Sequence, residues 1–332
     1  LEVASMLFTA IVILINGGPE GLNFDASFNP SNVFVGGITG TAGIALSFAF
    51  ASFIGFESTA IYGEEAKDPK KTVRRATYWA VGIIAGLFAI VSFAMMTGMG
   101  SSDAVNQILE RSDGLANPAN VLFSLAGEYV GSWMVTLMQI LILTSLFAGL
   151  LAFQNAGSRY FFAMSRGGVL PHQLSKTNRR GAPSAGVWTM SIAGLIVVGL
   201  FAIFQLDPIL ILFYWLSAVA VLAITLVEIL VSIAVIAFFM KNEGANVWQG
   251  KIAPALAAIG MTLAMYLVIA RFNLLAGTVA DGVDPTLPES AFALSPLGWF
   301  LVTLPLIFFV IGLIVGIFDK KENASLTEDM LS

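Results

Sequence analysis

The sequence predicts an all-α polytopic membrane protein of eight transmembrane spans, the second of them broken. Three observations carry that prediction. Of 332 residues, 57% are hydrophobic and only 11% charged, against roughly 25% charged in an ordinary soluble domain. Apolar segments long enough to cross a bilayer, about 20 residues each, recur along the chain. One of them carries a glycine and a carboxylate in its middle, at Phe53-Ile54-Gly55-Phe56-Glu57. In lipid, non-helical backbone is tolerated only where protein or a water-filled cavity satisfies its polar groups, so such a break points to a binding site.

The first span covers about residues 1–16 and closes at Gly17-Gly18-Pro19, a helix-stop signal. Leu1-Glu2-Val3 already lies inside an apolar run with no basic region before it, as expected of a fragment of a longer chain and not of a signal peptide. The broken span is expected at 40–66. A third runs over 78–98, where Gly82 and Gly86 have the spacing of a close helix contact. The fourth and fifth cover 132–155 and 185–205. Asp207-Pro208 supplies a cap and a first-turn proline for the sixth, 208–240. The seventh, 252–275, and the eighth, 296–318, complete a transmembrane domain over 1–319, followed by a tail, 320–332. In the loop 101–131, Asn117-Pro118 reads as a helix start, with Val121, Leu122, Leu125 and Tyr129 following at helical spacing. That helix either lies over the mouth of the bundle or shields its side.

Basic residues favour the cytoplasmic side of a membrane. Lys67, Lys70, Lys71, Arg74 and Arg75 share one loop, and alternate loops hold Arg159, Arg166, Lys176, Arg179, Arg180, then Lys241 and Lys251, then Lys320 and Lys321. Of the 16 Lys and Arg, only Arg111 and Arg271 fall on the opposite side, near Asp281, Asp284 and Glu289. The protein is therefore expected in the cell membrane with its C-terminus cytoplasmic. Trp79, Trp133 and Trp299 lie at span ends, as interfacial anchors do.

Composition also excludes chemistry. Without cysteine there is no thiol nucleophile or thiolate metal site, and the single histidine, His172, cannot build a histidine metal centre. Neither H-E-x-x-H nor G-x-S-x-G occurs, so no enzymatic activity, metal or cofactor is expected. Nor is a nucleic-acid partner. A channel is disfavoured because the spans lack polar or charged rings.

The motif Phe53-Ile54-Gly55-Phe56-Glu57 is followed by Glu64-Glu65-Ala66-Lys67-Asp68-Pro69-Lys70-Lys71-Thr72. Asn155-Ala156-Gly157-Ser158-Arg159, Ala163-Met164-Ser165-Arg166-Gly167-Gly168-Val169-Leu170-Pro171 and Gly181-Ala182-Pro183 come next. In this order the chain resembles the amino acid-polyamine-organocation (APC) superfamily of transporters, over essentially its whole length. The resemblance implies a partial leucine-transporter-type inverted-repeat fold, the eight spans corresponding to the fifth to twelfth helices. The N-terminal four helices of the same polypeptide, with the other broken helix and the other half of the pocket, are then missing. It also implies a secondary active transporter that moves amino acids or related amines by alternating access, as a symporter or antiporter coupled to protons in preference to sodium. A transporter-like amino acid receptor or sensor is the alternative. The chain departs from the family at Arg74, where a proline is common. Near Glu2 some members place a coupling lysine, so no lysine-based scheme transfers here.

A broken helix offers an amino acid backbone donors and acceptors, and its half-helix ends carry dipole charge. Phe50, Ala51, Ser52, Phe53, Ile54 and Gly55 are the candidate substrate residues, with Gly55 serving either the turn of the backbone or close helix packing. Glu57, placed roughly 15 Å inside the cytoplasmic boundary by helical rise from Lys67, is the candidate for proton coupling or sensing. Burial there disfavours the ionised carboxylate; the alternative is permanent pairing with backbone donors of the break. Glu2, roughly 21 Å below the outer end of its helix, is a second intramembrane carboxylate and the second candidate for proton coupling or sensing. Thr144 and Ser145 are possible ion or substrate ligands, since sodium-coupled relatives of the fold use hydroxyls in that span, or they simply bond their own backbone. Glu228 is expected to snorkel towards the inner headgroups.

Overall fold

The computed structural model describes residues 1–114, 117–242 and 244–318; the expected tail, 320–332, with Lys320 and Lys321, lies outside them. In chain order its helices are α1 (Glu2–Asn16), α2 (Phe24–Phe28), α3 (Pro30–Val33), α4 (Thr41–Ser52), α5 (Ser58–Ile61), α6 (Pro69–Met99) and α7 (Ala104–Arg111). They continue with α8 (Asn120–Tyr129), α9 (Ser132–Arg166), α10 (Ser184–Ile203), α11 (Tyr214–Lys241), α12 (Ala253–Ala270), α13 (Phe272–Leu275) and α14 (Pro296–Phe318). Among the described residues there is no strand, only an isolated bridge between Val279 and Leu294.

Among the described residues, six helices are long and apolar enough to cross a membrane: Lys71–Met99, Ser132–Arg166, Ser184–Ile203, Pro208–Lys241, Trp248–Ala270 and Pro296–Gly316. The chain is an all-α, multi-pass membrane protein. Two shorter apolar helices, Glu2–Asn16 and Thr41–Ser52, belong to the first span and to the first half of the broken one.

The chain divides into two compact units, Leu1–Val33 with Phe56–Ala156, and Phe34–Gly55 with everything from Gly157 onward. In the first, α1 packs on α6 through Ala10, Ile13, Val91, Ala94 and Met99, and α8 adds Val121 and Leu125 to the same apolar cluster. Leu125 is fully buried, and the Tyr129 hydroxyl donates to the Gly98 carbonyl at 2.9 Å. The helix foreseen in the 101–131 loop thus shields α1 and α6. A second helix in that loop, α7, has no counterpart in the sequence reading. Arg111 ties it to α8, donating to Glu128 at 2.9 Å and to the Ser124 hydroxyl at 3.1 Å.

Helix α6 starts well before the expected residue 78, because Asp68 accepts from the Lys71 amide at 3.2 Å and Pro69 occupies the first turn. Gly82 and Gly86, read as a close-packing pair, face open space among the described residues. Helix α9 runs through Asn155-Ala156-Gly157 to Arg166, 35 residues in all, where a span ending at 155 was expected. Gly157 lies inside it because Met190 of α10 packs there: a Cβ would meet the Met190 Cε at 2.7 Å.

In the second unit Ala218, Val221 and Leu222 of α11, Val268 of α12, Phe272 and Leu275 of α13, and Leu301 and Val302 of α14 form one apolar core. Asp207 caps the turns Pro208–Phe213 that lead into α11, accepting from the Ile209 and Leu210 amides at 2.8 and 2.6 Å. The first turns, Pro208–Phe213, are π-helical. The seventh span, expected to run to 275, ends as a helix at Ala270. Arg271 leaves the helical path and the short α13 follows.

Candidate functional site

The helix of the broken span stops where the apolar run is interrupted. At the end of α4 the Phe53 amide donates to the Phe50 carbonyl at 3.2 Å and the Ile54 amide to the Ala51 carbonyl at 3.4 Å. These i+3 bonds tighten the last turn, while the Ser52 hydroxyl returns to the Phe48 carbonyl at 2.8 Å. Gly55 then adopts φ +110°, a conformation closed to most L-residues. Among the described residues other than its chain neighbours, no heavy atom lies within 4 Å of where its Cβ would stand. What the position demands is backbone conformation, not room for a neighbouring helix.

Beyond the break, α5 is a single turn. The Thr59 and Thr77 hydroxyls meet at 2.6 Å and fasten it to α6. A 3₁₀ turn at Gly63–Glu65 and an extended Ala66 lead to the Asp68 cap. The helical rise used to place Glu57 from Lys67 therefore does not apply, because that stretch is not one helix.

The substrate candidates Phe50, Ala51, Ser52, Phe53, Ile54 and Gly55 follow one another through the last turn of α4 into the break, in the second unit. Phe50, Ala51 and Ile54 pack against that unit's core, so what they can offer a ligand is main chain. Glu57, half-buried, lies in the first unit at the start of α5, without a capping bond from its side chain. Glu2 is half-buried in the first turn of α1. Thr144 is exposed and its hydroxyl donates to the Leu141 carbonyl at 2.8 Å, one residue nearer than the i−4 bond expected; Ser145 beside it is half-buried. Glu228 is half-buried on α11, near Thr225, whose hydroxyl donates to the Val221 carbonyl at 2.7 Å.

A residue the sequence reading treated only as a topological charge bonds five groups of the second unit. Arg271, 0% exposed, donates through Nε to the Thr39 carbonyl. Nη1 donates to the carbonyls of Leu287 at 2.9 Å and Pro285 at 3.3 Å and to the Ser290 hydroxyl at 3.1 Å, and Nη2 to the Pro288 carbonyl at 3.0 Å. Among the described residues no carboxylate lies within ion-pair distance of it. Burial pushes its pKa below the usual arginine value, and the Glu289 charge opposes that shift. The same strap is held by Asn273, whose Nδ2 donates to the Ser290 carbonyl at 2.9 Å, and by the Phe292 amide, which donates to the Ala270 carbonyl at 2.8 Å. The available signal was an arginine at the very end of an apolar helix, ahead of a loop with Pro285 and Pro288.

Compared with known proteins, residues 2–330 match the family model described as amino acid permease. The chain belongs to the amino acid permease family. The superfamily resemblance carried by the motifs from Phe53 to Pro183 thus holds for this chain. It is 33% identical over 202 residues to the branched-chain amino acid permease BcaP of Lactococcus lactis, covering 60% of this chain and 41% of that protein. It is 21% identical over 286 residues to BcaP of Bacillus subtilis, covering 86% of this chain and 51% of that protein. With the probable amino-acid permease meu22 of Schizosaccharomyces pombe it shares 28% identity over 190 residues, 55% of this chain and 32% of that protein. The chain spans about half or less of the length of these curated relatives. No solved structure matches it.

Proposed function

We propose that this chain carries the broken-helix side of the substrate path in a secondary active transporter for amino acids or related amines. The observation that carries the reading is the interruption of an apolar span at Phe53–Glu57 in a chain of the permease family. A helix end in lipid leaves carbonyls, and a helix start leaves amides, that need partners. An amino acid has an ammonium to donate to the first and a carboxylate to accept from the second. The main chain of Phe50–Gly55 supplies the acceptors, and Gly55 turns the backbone away. The names of the two bacterial relatives make branched-chain amino acids the first substrates to test.

In this reading the eight spans form one domain of the cell membrane with the basic loops and the C-terminus in the cytoplasm. Substrate moves by alternating access, and Glu57, next to the break, takes up and releases the coupling proton.

The test is uptake of a labelled amino acid and polyamine panel into proteoliposomes containing the full-length protein, with and without an imposed pH gradient. Gradient-driven accumulation of amino acids supports the reading. Ligand binding with no flux and no exchange contradicts it and favours a sensor.

A further inference from the structure

We propose that Arg271 is a positioning residue for the broken span, setting from the outer end of α4 the height at which the break is presented. This rests on reading the break as the substrate site. Thr39, whose carbonyl Arg271 holds, immediately precedes Gly40, the N-cap of α4. From there a helix of 12 residues leads to the break; as a rigid rod of roughly 18 Å it transmits an axial shift at Thr39 to Ser52–Gly55. At that end Phe50, Ala51 and Ile54 add apolar packing against the core. Such packing is non-directional and fixes the axial register weakly, whereas hydrogen bonds to a planar guanidinium lose strength steeply with misalignment.

The choice of arginine follows from the partners. They come from two separate stretches, Thr39 and 285–290, and all are carbonyls except the Ser290 hydroxyl. Five N–H groups in a fixed fork serve several such acceptors at once; the ammonium of a lysine presents its donors from one atom. The strap is itself seated on the residues before α4, since a Cβ at Gly36 would stand 2.4 Å from Pro288. Arg271 thus joins the end of α12, the 285–290 strap and the entry to α4 within one unit.

The test uses the full-length protein with any other cysteines replaced, spin-labelled at Phe48→Cys on α4 and Ile259→Cys on α12, both exposed in this unit. Arg271→Met is expected to shift or broaden the interlabel distance distribution. Ser290→Ala, which leaves the Thr39 bond in place, is expected to keep the parent distribution. In uptake, Arg271→Met should raise KM roughly tenfold with Vmax per inserted molecule little changed. Should Arg271→Met fail to accumulate, Arg271→Lys is measured by the same criteria. An unchanged distribution in the Arg271 variant overturns the proposal, as does an equal change in Ser290→Ala. If the parent protein transports nothing while the distance shift occurs, the transporter reading fails and the clamp stands.

Discussion

The hydroxyls of Thr59 and Thr77 meet at 2.6 Å, 18 residues apart, and fasten the single turn of α5 to α6. One hydroxyl gives its proton to the other, which is left free to donate to a main-chain carbonyl, Phe56 at 3.1 Å from Thr59 or Val73 at 3.0 Å from Thr77. The shorter half of the broken span cannot hold itself, because an isolated helical turn is unfavourable in nucleation terms. Thr59→Val and Thr77→Val should each destabilise the first unit by about 1 kcal/mol. The double variant should cost less than the sum, since both remove one shared bond. Chemical denaturation of the three variants checks this; strict additivity would show that the pair does not couple.

Glu57 stands between the break and α5. Glu57→Gln keeps its size and hydrogen-bonding capacity but cannot exchange a proton. Uptake by this variant should lose its dependence on pH while insertion into the membrane stays near the parent level. A pH profile parallel to that of the parent would remove Glu57 from proton coupling.

Outside the spans, Glu20 joins the loop after α1 to the end of α6. It accepts from the Ser101 hydroxyl at 2.9 Å, from the Ser102 amide at 3.2 and 3.3 Å and from the Ser102 hydroxyl. The Ser102 and Ser101 hydroxyls hold its carboxyl below the usual glutamate range. Because the folded pKa is depressed, the contact contributes fully above about pH 4.3 and is lost as the pH falls through the lower folded value. Exchange protection of the Ser102 amide, corrected for intrinsic rates, should fall on acidification. In Glu20→Gln it should be weaker and indifferent to pH.

Leu125 anchors α8 in the cluster with Ile13 and Ala94, fully buried. Leu125→Ala should destabilise the first unit by about 2–5 kcal/mol, read as a lowered unfolding midpoint. An exposed neighbour on the same loop, Val105→Ala, should leave that midpoint nearly unchanged.

The broken span was legible because a glycine and a carboxylate inside an apolar run leave few other readings, and the Asp207-Pro208 cap was legible from its own two residues; the Asp68-Pro69 cap, which starts α6 ahead of the expected residue 78, was not read as one. Features that depend on distant partners were not legible. The helix α7 is tied down by Arg111 through Glu128 and Ser124 of another helix. Gly157 inside α9 leaves room for Met190 of α10, and the spacing of Gly82 and Gly86 says nothing of whether a neighbour is there to use it. Arg271 finds Thr39 across 232 residues of sequence. The sequence reading placed it only as one of two basic residues on the expected outer side; its partners are set by the fold.

The most direct measurement concerns Gly55. With φ +110° and no neighbour within 4 Å of a Cβ, Gly55→Ala meets no steric clash and carries only backbone strain, roughly 1–3 kcal/mol. The comparison is uptake of branched-chain amino acids into proteoliposomes by full-length protein and by Gly55→Ala, at equal inserted amounts and with the same imposed pH gradient. Gradient-driven accumulation by the parent, reduced roughly tenfold or more in Gly55→Ala, is the predicted result. Equal accumulation by the two would contradict the assignment of the substrate path to the break.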